Sequence, residues 1–160
     1  MAIRTIRIDG DPVLRKKCKE VKEMTPRLEE LIEDMLDTMY ESGGVGLAAP
    51  QVGILKRVVV IDVSQEGDEP IVMINPVITE RSGEQTGDEG CLSIPGMSAS
   101  VTRPNRVVCE FMDETMETYA IEAEELLARA ICHELDHLEG VLYKDVANED
   151  IHPVAQPEEE

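Results

Sequence analysis

The segment His133-Glu134-Leu135-Asp136-His137 carries two histidines four residues apart, with a glutamate beside the first. On a helix of 3.6 residues per turn both imidazoles stand on one face, within reach of one divalent ion, and the glutamate can act as a base beside it. The flanks read as helix: Ala123 to Cys132 contains no Gly or Pro and is rich in good helix formers, and Gly140 supplies a stop. The chain has only three histidines, so two at this spacing are a specific signal.

A catalytic ion of this kind needs three protein ligands and an open position. Downstream of His137 stand Glu139, Glu149 and an acidic end, with little chain left to build a helix bearing a glutamate ligand. A third histidine six beyond the second is another known solution; Gly140 fits that pattern, but the position holds Tyr143. Upstream, Asp88-Glu89-Gly90-Cys91-Leu92-Ser93-Ile94-Pro95-Gly96 places a cysteine in what reads as a polar, glycine-flanked turn between strands. A thiolate there would complete a Cys-His-His set suited to zinc or iron. Cys109, inside a strand pattern, reads instead as a small buried hydrophobe. Cys132 neighbours a histidine in sequence but is rotated about 100° from it on the helix. His152 reads as a solvated side chain.

Composition bounds the rest. A chain of 160 residues with 42% hydrophobic content suggests one globular domain with a substantial core, expected over 1–150, followed by a frayed acidic tail over 151–160. No apolar run approaches the roughly 20 residues of a membrane span, and no signal-peptide h-region is visible, so a cytoplasmic protein with free thiols is expected. A net charge of −19, no Trp and one Phe argue against nucleic-acid binding.

Residues 1–10 read as extended, and Asp11-Pro12-Val13-Leu14-Arg15 as a turn into a short helix. Thr25 is a good N-cap ahead of Pro26, and Leu28, Leu31, Ile32, Met35, Leu36 and Met39 recur at helical spacing to about Tyr40. Gly44-Val45-Gly46-Leu47-Ala48-Ala49-Pro50-Gln51 is small and flexible but lacks the Gly-Lys-Ser/Thr of a phosphate loop. Strands are expected over 57–63, 70–75, 77–80, 107–112 and 118–121, joined by short turns that favour antiparallel pairing. The fold class is therefore α+β: antiparallel sheets around a C-terminal HExxH metal-binding helix, with a long N-terminal helix.

Three separated stretches, GVGLAAPQ, EGCLS and HELDH, resemble the three signature motifs of peptide deformylases in order and spacing, and DPVLR and Gly140 to Asp145 are also similar to that family. The resemblance runs from about residue 3 to 146. It implies removal of the formyl group from N-formylmethionyl peptides on new bacterial or organellar chains, with release of formate. It also implies one divalent metal per chain, typically Fe(II), with zinc, nickel or cobalt able to replace it, held by Cys91, His133 and His137. Glu134 would be the general acid/base, with the Gln51 amide and Leu92 N–H as oxyanion donors. Gly46 would lie along the bound peptide, and Val45, Leu126, Arg129, Ala130 and the His133 ring would receive the methionine. Gly46 and Gly90 would leave room for substrate backbone. Asp136 would pair with Arg103. The chain departs from the family in three places. Gly96-Met97-Ser98-Ala99 lacks the Arg or Tyr that often holds substrate, Cys132 stands where Gln is common, and with Pro153, Pro157 and three glutamates at the end a basic ribosome-docking helix is not expected. A general HExxH metallopeptidase or amidase, or a non-catalytic metal-binding module, are the competing readings; the intact Glu134 and the EGCLS stretch argue against both.

Overall fold

The computed structural model describes residues 2–154. Five antiparallel strands form the main sheet in the order β1-β2-β3-β6-β7: β1 Gly46–Ala48, β2 Val58–Ile61, β3 Ile71–Ser82, β6 Arg106–Met112 and β7 Thr118–Glu124. A smaller sheet pairs β4 Gln85–Cys91 with β5 Ile94–Arg103 and β5 with β8 His152–Pro153. Among the described residues three α-helices accompany them, α1 Pro26–Glu41, α2 Glu125–Leu138 and the single turn α3 Tyr143–Val146, with 3-10 turns at Pro12–Arg15 and Ala49–Val52.

The main sheet is covered by a helix on each face. In β2 all four residues are fully buried, because successive side chains point to opposite faces and both faces are dry. Val58 and Val60 join Leu28, Leu31, Ile32, Met35 and Met39 of α1, whereas Val59 and Ile61 join Ala128, Ile131, Leu135 and Leu138 of α2. The spacing predicted for α1 is the spacing that packs. Its N-cap is Thr25, whose side chain accepts the Leu28 N–H at 3.1 Å. A third cluster, Ile94, Ala99, Val101, Leu142 and Tyr143, ties the small sheet to α3.

Four expectations change. The segments 70–75 and 77–80 are one strand, β3, with a register irregularity between Ile74 and Val77. Asn75 takes φ +53 there, and its side-chain amide pairs with the Val21 backbone, accepting from N–H and donating to C=O at 2.8 Å each. The turn between strands expected around Cys91 is present but shorter: Glu89, Gly90 and Cys91 close β4, and only Leu92 and Ser93 make the turn into β5. Gly87, Asp88 and Gly90 have low strand propensity, and the long hairpin partner overrides it. Ala123 and Glu124 belong to β7, so α2 begins at Glu125, where φ +55 makes the corner without an intervening loop. Finally, the segment expected to fray from 151 is paired as far as Val154. Ser98 faces His152, Met97 faces Pro153, and the Val154 N–H donates to Gly96 O at 2.8 Å. The remainder of that tail, 155–160, lies outside the described residues. The N-terminal stretch is extended as expected but joins neither sheet; it is pinned by Arg7 N–H to Gln51 O at 2.7 Å and Asp9 N–H to Ser93 O at 2.8 Å.

Candidate metal centre and catalytic pocket

The end of β4 and one face of α2 converge on a single point. Cys91, His133 and His137 bring their ligand atoms within 4.8 Å of one another, with Cys91 Sγ 3.4 Å from His137 Nε2. The i, i+4 spacing on α2 stacks the two rings edge to face at 5.2 Å. His133 Nδ1 lies 2.9 Å from Glu89 Oε1, which leaves Nε2 for an ion. His137 is buried to 1% exposure and has no protein partner at Nδ1 among the described residues. Burial holds His137 well below its ordinary pKa and hence neutral, with a lone pair to offer. One thiol sulfur and two imidazole nitrogens facing each other in a largely dry site fit a divalent transition metal.

Behind these residues lies a network of which sequence reading gave the Arg103–Asp136 pair but not its centre. Glu89, 6% exposed, accepts from Arg103 Nε and Nη2 at 2.9 and 3.0 Å and from Arg129 Nη1 at 2.6 Å, besides facing His133. Burial pushes its carboxyl up, but the Arg103 and His133 bonds outweigh that and hold its pKa at about 2. Arg103 also donates to Asp136 Oδ2 at 2.7 Å, the pair anticipated for those two residues. The available signal for Glu89 was its place two residues before a candidate ligand. A charged residue destined for burial among cations looks, in sequence, like any other acid in an acidic chain.

Glu134 is 5% exposed, with Oε1 lacking a partner among the described residues. Burial raises its carboxyl to about 7. Gln51, 1% exposed, is held at both ends of its amide. Its Oε1 accepts the Ala48 N–H at 3.0 Å, which turns the NH2 toward Ser93 Oγ at 3.0 Å and Cys91 Sγ at 3.6 Å. Ser93 is a second residue that sequence reading left unassigned. Tyr143, considered there only for not being a histidine, is buried with its ring stacked on His133 at a centroid distance of 6.0 Å.

The pocket in front of the site has a volume of about 480 Å³ and brings together Gly46, Val45, Leu126, Arg129, Ala130, Gln51, Leu92, Cys91, His133 and Glu134. Val45 and Leu126 stand exposed at its rim, whereas Arg129 is tied inward by Glu89 and Gly87 O. His137 and the Arg103–Asp136 pair are not among the pocket's lining residues. Cys109 and Cys132 belong to the core under α2, and burial raises both thiols, Cys109 to about 11.

The model of the polypeptide deformylase family matches residues 3–151. The chain belongs to that family. It is 66% identical over 154 residues to a peptide deformylase of Agathobacter rectalis, covering 96% of each chain, and 59% identical over 160 residues to one of Lachnoclostridium phytofermentans, covering 100% of this chain and 98% of the other. Its fold is similar to the crystal structure of peptide deformylase from Thermotoga maritima, with a TM-score of 0.87, 42% identity and coverage of 92% of this chain and 99% of that one. Peptide deformylases are metal-dependent hydrolases that remove the N-formyl group from nascent peptides, and this member has a donor cluster to hold the ion. Among the described residues no helix is long and apolar enough to cross a membrane.

Proposed function

We propose that the deformylase reaction runs on N-formylmethionyl peptides in the pocket between β1, β4 and α2, at a divalent ion held by Cys91, His133 and His137. The convergence of those three donors beside a buried glutamate carries this reading. Such an ion, when bound, lowers the pKa of a coordinated water toward neutrality and polarises the formyl carbonyl. Glu134, with a carboxyl raised to about 7 by burial, accepts the proton of the attacking water and returns it to the leaving amine nitrogen. The formyl oxygen becomes an oxyanion in the process. The Leu92 N–H and one N–H of Gln51 are the donors for it, each worth about 3–4 kcal/mol in sites of this type. The Ala48 N–H supports that role by fixing which end of the Gln51 amide faces the site. Gly46, on the edge strand of the main sheet, offers backbone groups to the peptide, and Val45, Leu126, Ala130 and the stem of Arg129 receive the methionine side chain.

Fe(II) is the proposed resident ion, with zinc, nickel and cobalt able to substitute, since one thiolate and two imidazoles suit each of them. The matched region is read as one catalytic domain working in the bacterial cytoplasm or an organelle. Acidic composition supports a chain that binds no nucleic acid. The test is formate release from formyl-Met-Ala-Ser by protein loaded anaerobically with Fe(II), beside the acetylated peptide. Formate from the first and no hydrolysis of the second is expected. Cleavage of internal bonds, or none with one ion bound per chain, would overturn the reading. Glu134→Ala is expected to abolish turnover while retaining the ion, and Cys91→Ala to lose the ion.

A further inference from the structure

Gly43 and Gly140 have positive φ, a backbone conformation that itself favours glycine. Gly44 and Gly46 do not, so any residue could adopt their backbone, and a reason for glycine has to come from space. At Gly46 an added Cβ would stand 2.5 Å from Glu134 Oε2 and 3.0 Å from its Cδ and Cγ. At Gly44 it would stand 2.8 Å from Leu92 Cδ1 and 3.3 Å from Cγ. These neighbours are the proposed base and the residue whose N–H is a proposed oxyanion donor. By contrast, a Cβ on Gly90 would meet only Met97 O, at 3.4 Å. The expectation that Gly46 and Gly90 leave room for substrate backbone therefore does not include what stands beside Gly46.

We propose that Gly44 and Gly46 are positioning residues whose missing Cβ atoms form a two-point seat, one for the Glu134 side chain and one for Leu92. The inference rests on the catalytic roles given above to Glu134 and Leu92. Glu134 is fixed to buried α2, and its neighbours Ile131 and Leu135 are locked in the core, so the helix cannot back away from β1. The carboxylate has to rest on the strand, and only a bare Cα lets it do so. Leu92 lies in the two-residue turn of the β4–β5 hairpin, and its side chain rests over Gly44, where an added Cβ would push against it. The glycines two apart thus align a base from one element and a donor from another against one short segment, which runs from Gly44 into β1. An alanine at 46 would move the carboxylate by an ångström or so, a displacement that costs about a hundredfold in rate at a catalytic centre.

A double-mutant cycle in the metal-loaded full chain separates this seat from a surface that serves the peptide alone. Gly46→Ala is expected to lower the unfolding temperature by roughly 3–10 °C in the otherwise native protein. In a Glu134→Ala background, which removes all three crowded atoms, it should change little. Gly44→Ala should behave likewise with and without Leu92→Ala, which keeps the N–H. Equal losses in both backgrounds, or a Gly46→Ala chain that folds in neither, would mean that the strand itself needs glycine and would overturn the proposal. In activity, Gly46→Ala should lose kcat about a hundredfold while the product peptide Met-Ala-Ser inhibits as before. Unchanged kcat with weakened product binding would mark Gly46 as a peptide rail only. Full turnover by Glu134→Ala would instead sink the catalytic reading, leaving the thermal coupling to stand or fall by itself.

Discussion

Glu89 sits where three cationic or potentially cationic groups meet: Arg103, Arg129 and His133. Its carboxylate orients the His133 ring, and the two guanidiniums keep the carboxylate charged in a dry setting. Removing the charge while keeping the shape should expose how much the site depends on it. Glu89→Gln is expected to weaken divalent-metal affinity by about 10–100-fold, read by competition with a chelator. Because buried Arg129 loses its carboxylate partner and Arg103 is left with Asp136 alone, unfolding free energy should also fall by about 3–5 kcal/mol, read in denaturant. Retained metal affinity would show that the negative charge at 89 is dispensable and that an acceptor for the His133 Nδ1–H is enough. The motif around Cys91 marked this region in sequence. The role of Glu89 was hidden because Arg103, Arg129 and His133 come from β5 and α2, and nothing local predicts that they converge.

At the scale of elements, α1 was readable and the β4–β5 hairpin was not. The helix follows from a Thr25 cap and a stripe of Leu, Ile and Met that needs only one neighbouring surface to bury it. The hairpin is built of residues with little intrinsic strand preference and exists because its partner strand pairs with it over most of its length. The N-terminal stretch depends on tertiary contact in the same way. It lies along α1 through Asp34, which is 2% exposed and accepts the Ala2 N–H at 2.8 Å and Arg4 Nε at 2.9 Å, while Arg4 N–H donates to Thr38 Oγ1 at 2.9 Å. Burial opposes the Asp34 charge, but the bonds from Arg4 and Ala2 outweigh it and hold its pKa below the ordinary 3.8. A carboxyl whose pKa is depressed on folding stabilises the protein above its unfolded value and loses that contribution as pH falls through the folded one. The stability gap between the native chain and Asp34→Asn should therefore be full near neutrality and shrink below pH 3.8. A gap that stays constant with pH would show that Asp34 acts by packing alone.

For the whole molecule, the proposed ion would join two parts of the fold. Cys91 belongs to the small sheet, and His133 and His137 belong to the helix under the main sheet. Metal binding should therefore report as global stability. Stripping the ion with a chelator is expected to lower the unfolding temperature by about 10 °C when the ion had been present at about 1,000 times its dissociation constant. An unchanged transition would mean that the donors are equally well held without it. What the sequence determined by itself was whatever rests on local spacing. This comprised the paired imidazoles and intervening Glu134, the amphipathic α1, the α+β class, and the three motifs that pointed to the family. What only the tertiary structure decided was what lies beside what: Glu89 among its cations, Gln51 clamped by Ala48, Ser93 and Cys91, and Glu134 resting on Gly46. Helical and strand periodicity repeat over a few residues and are written locally. Contacts across separate sheets and helices depend on how the chain closes, and no run of neighbouring residues encodes that.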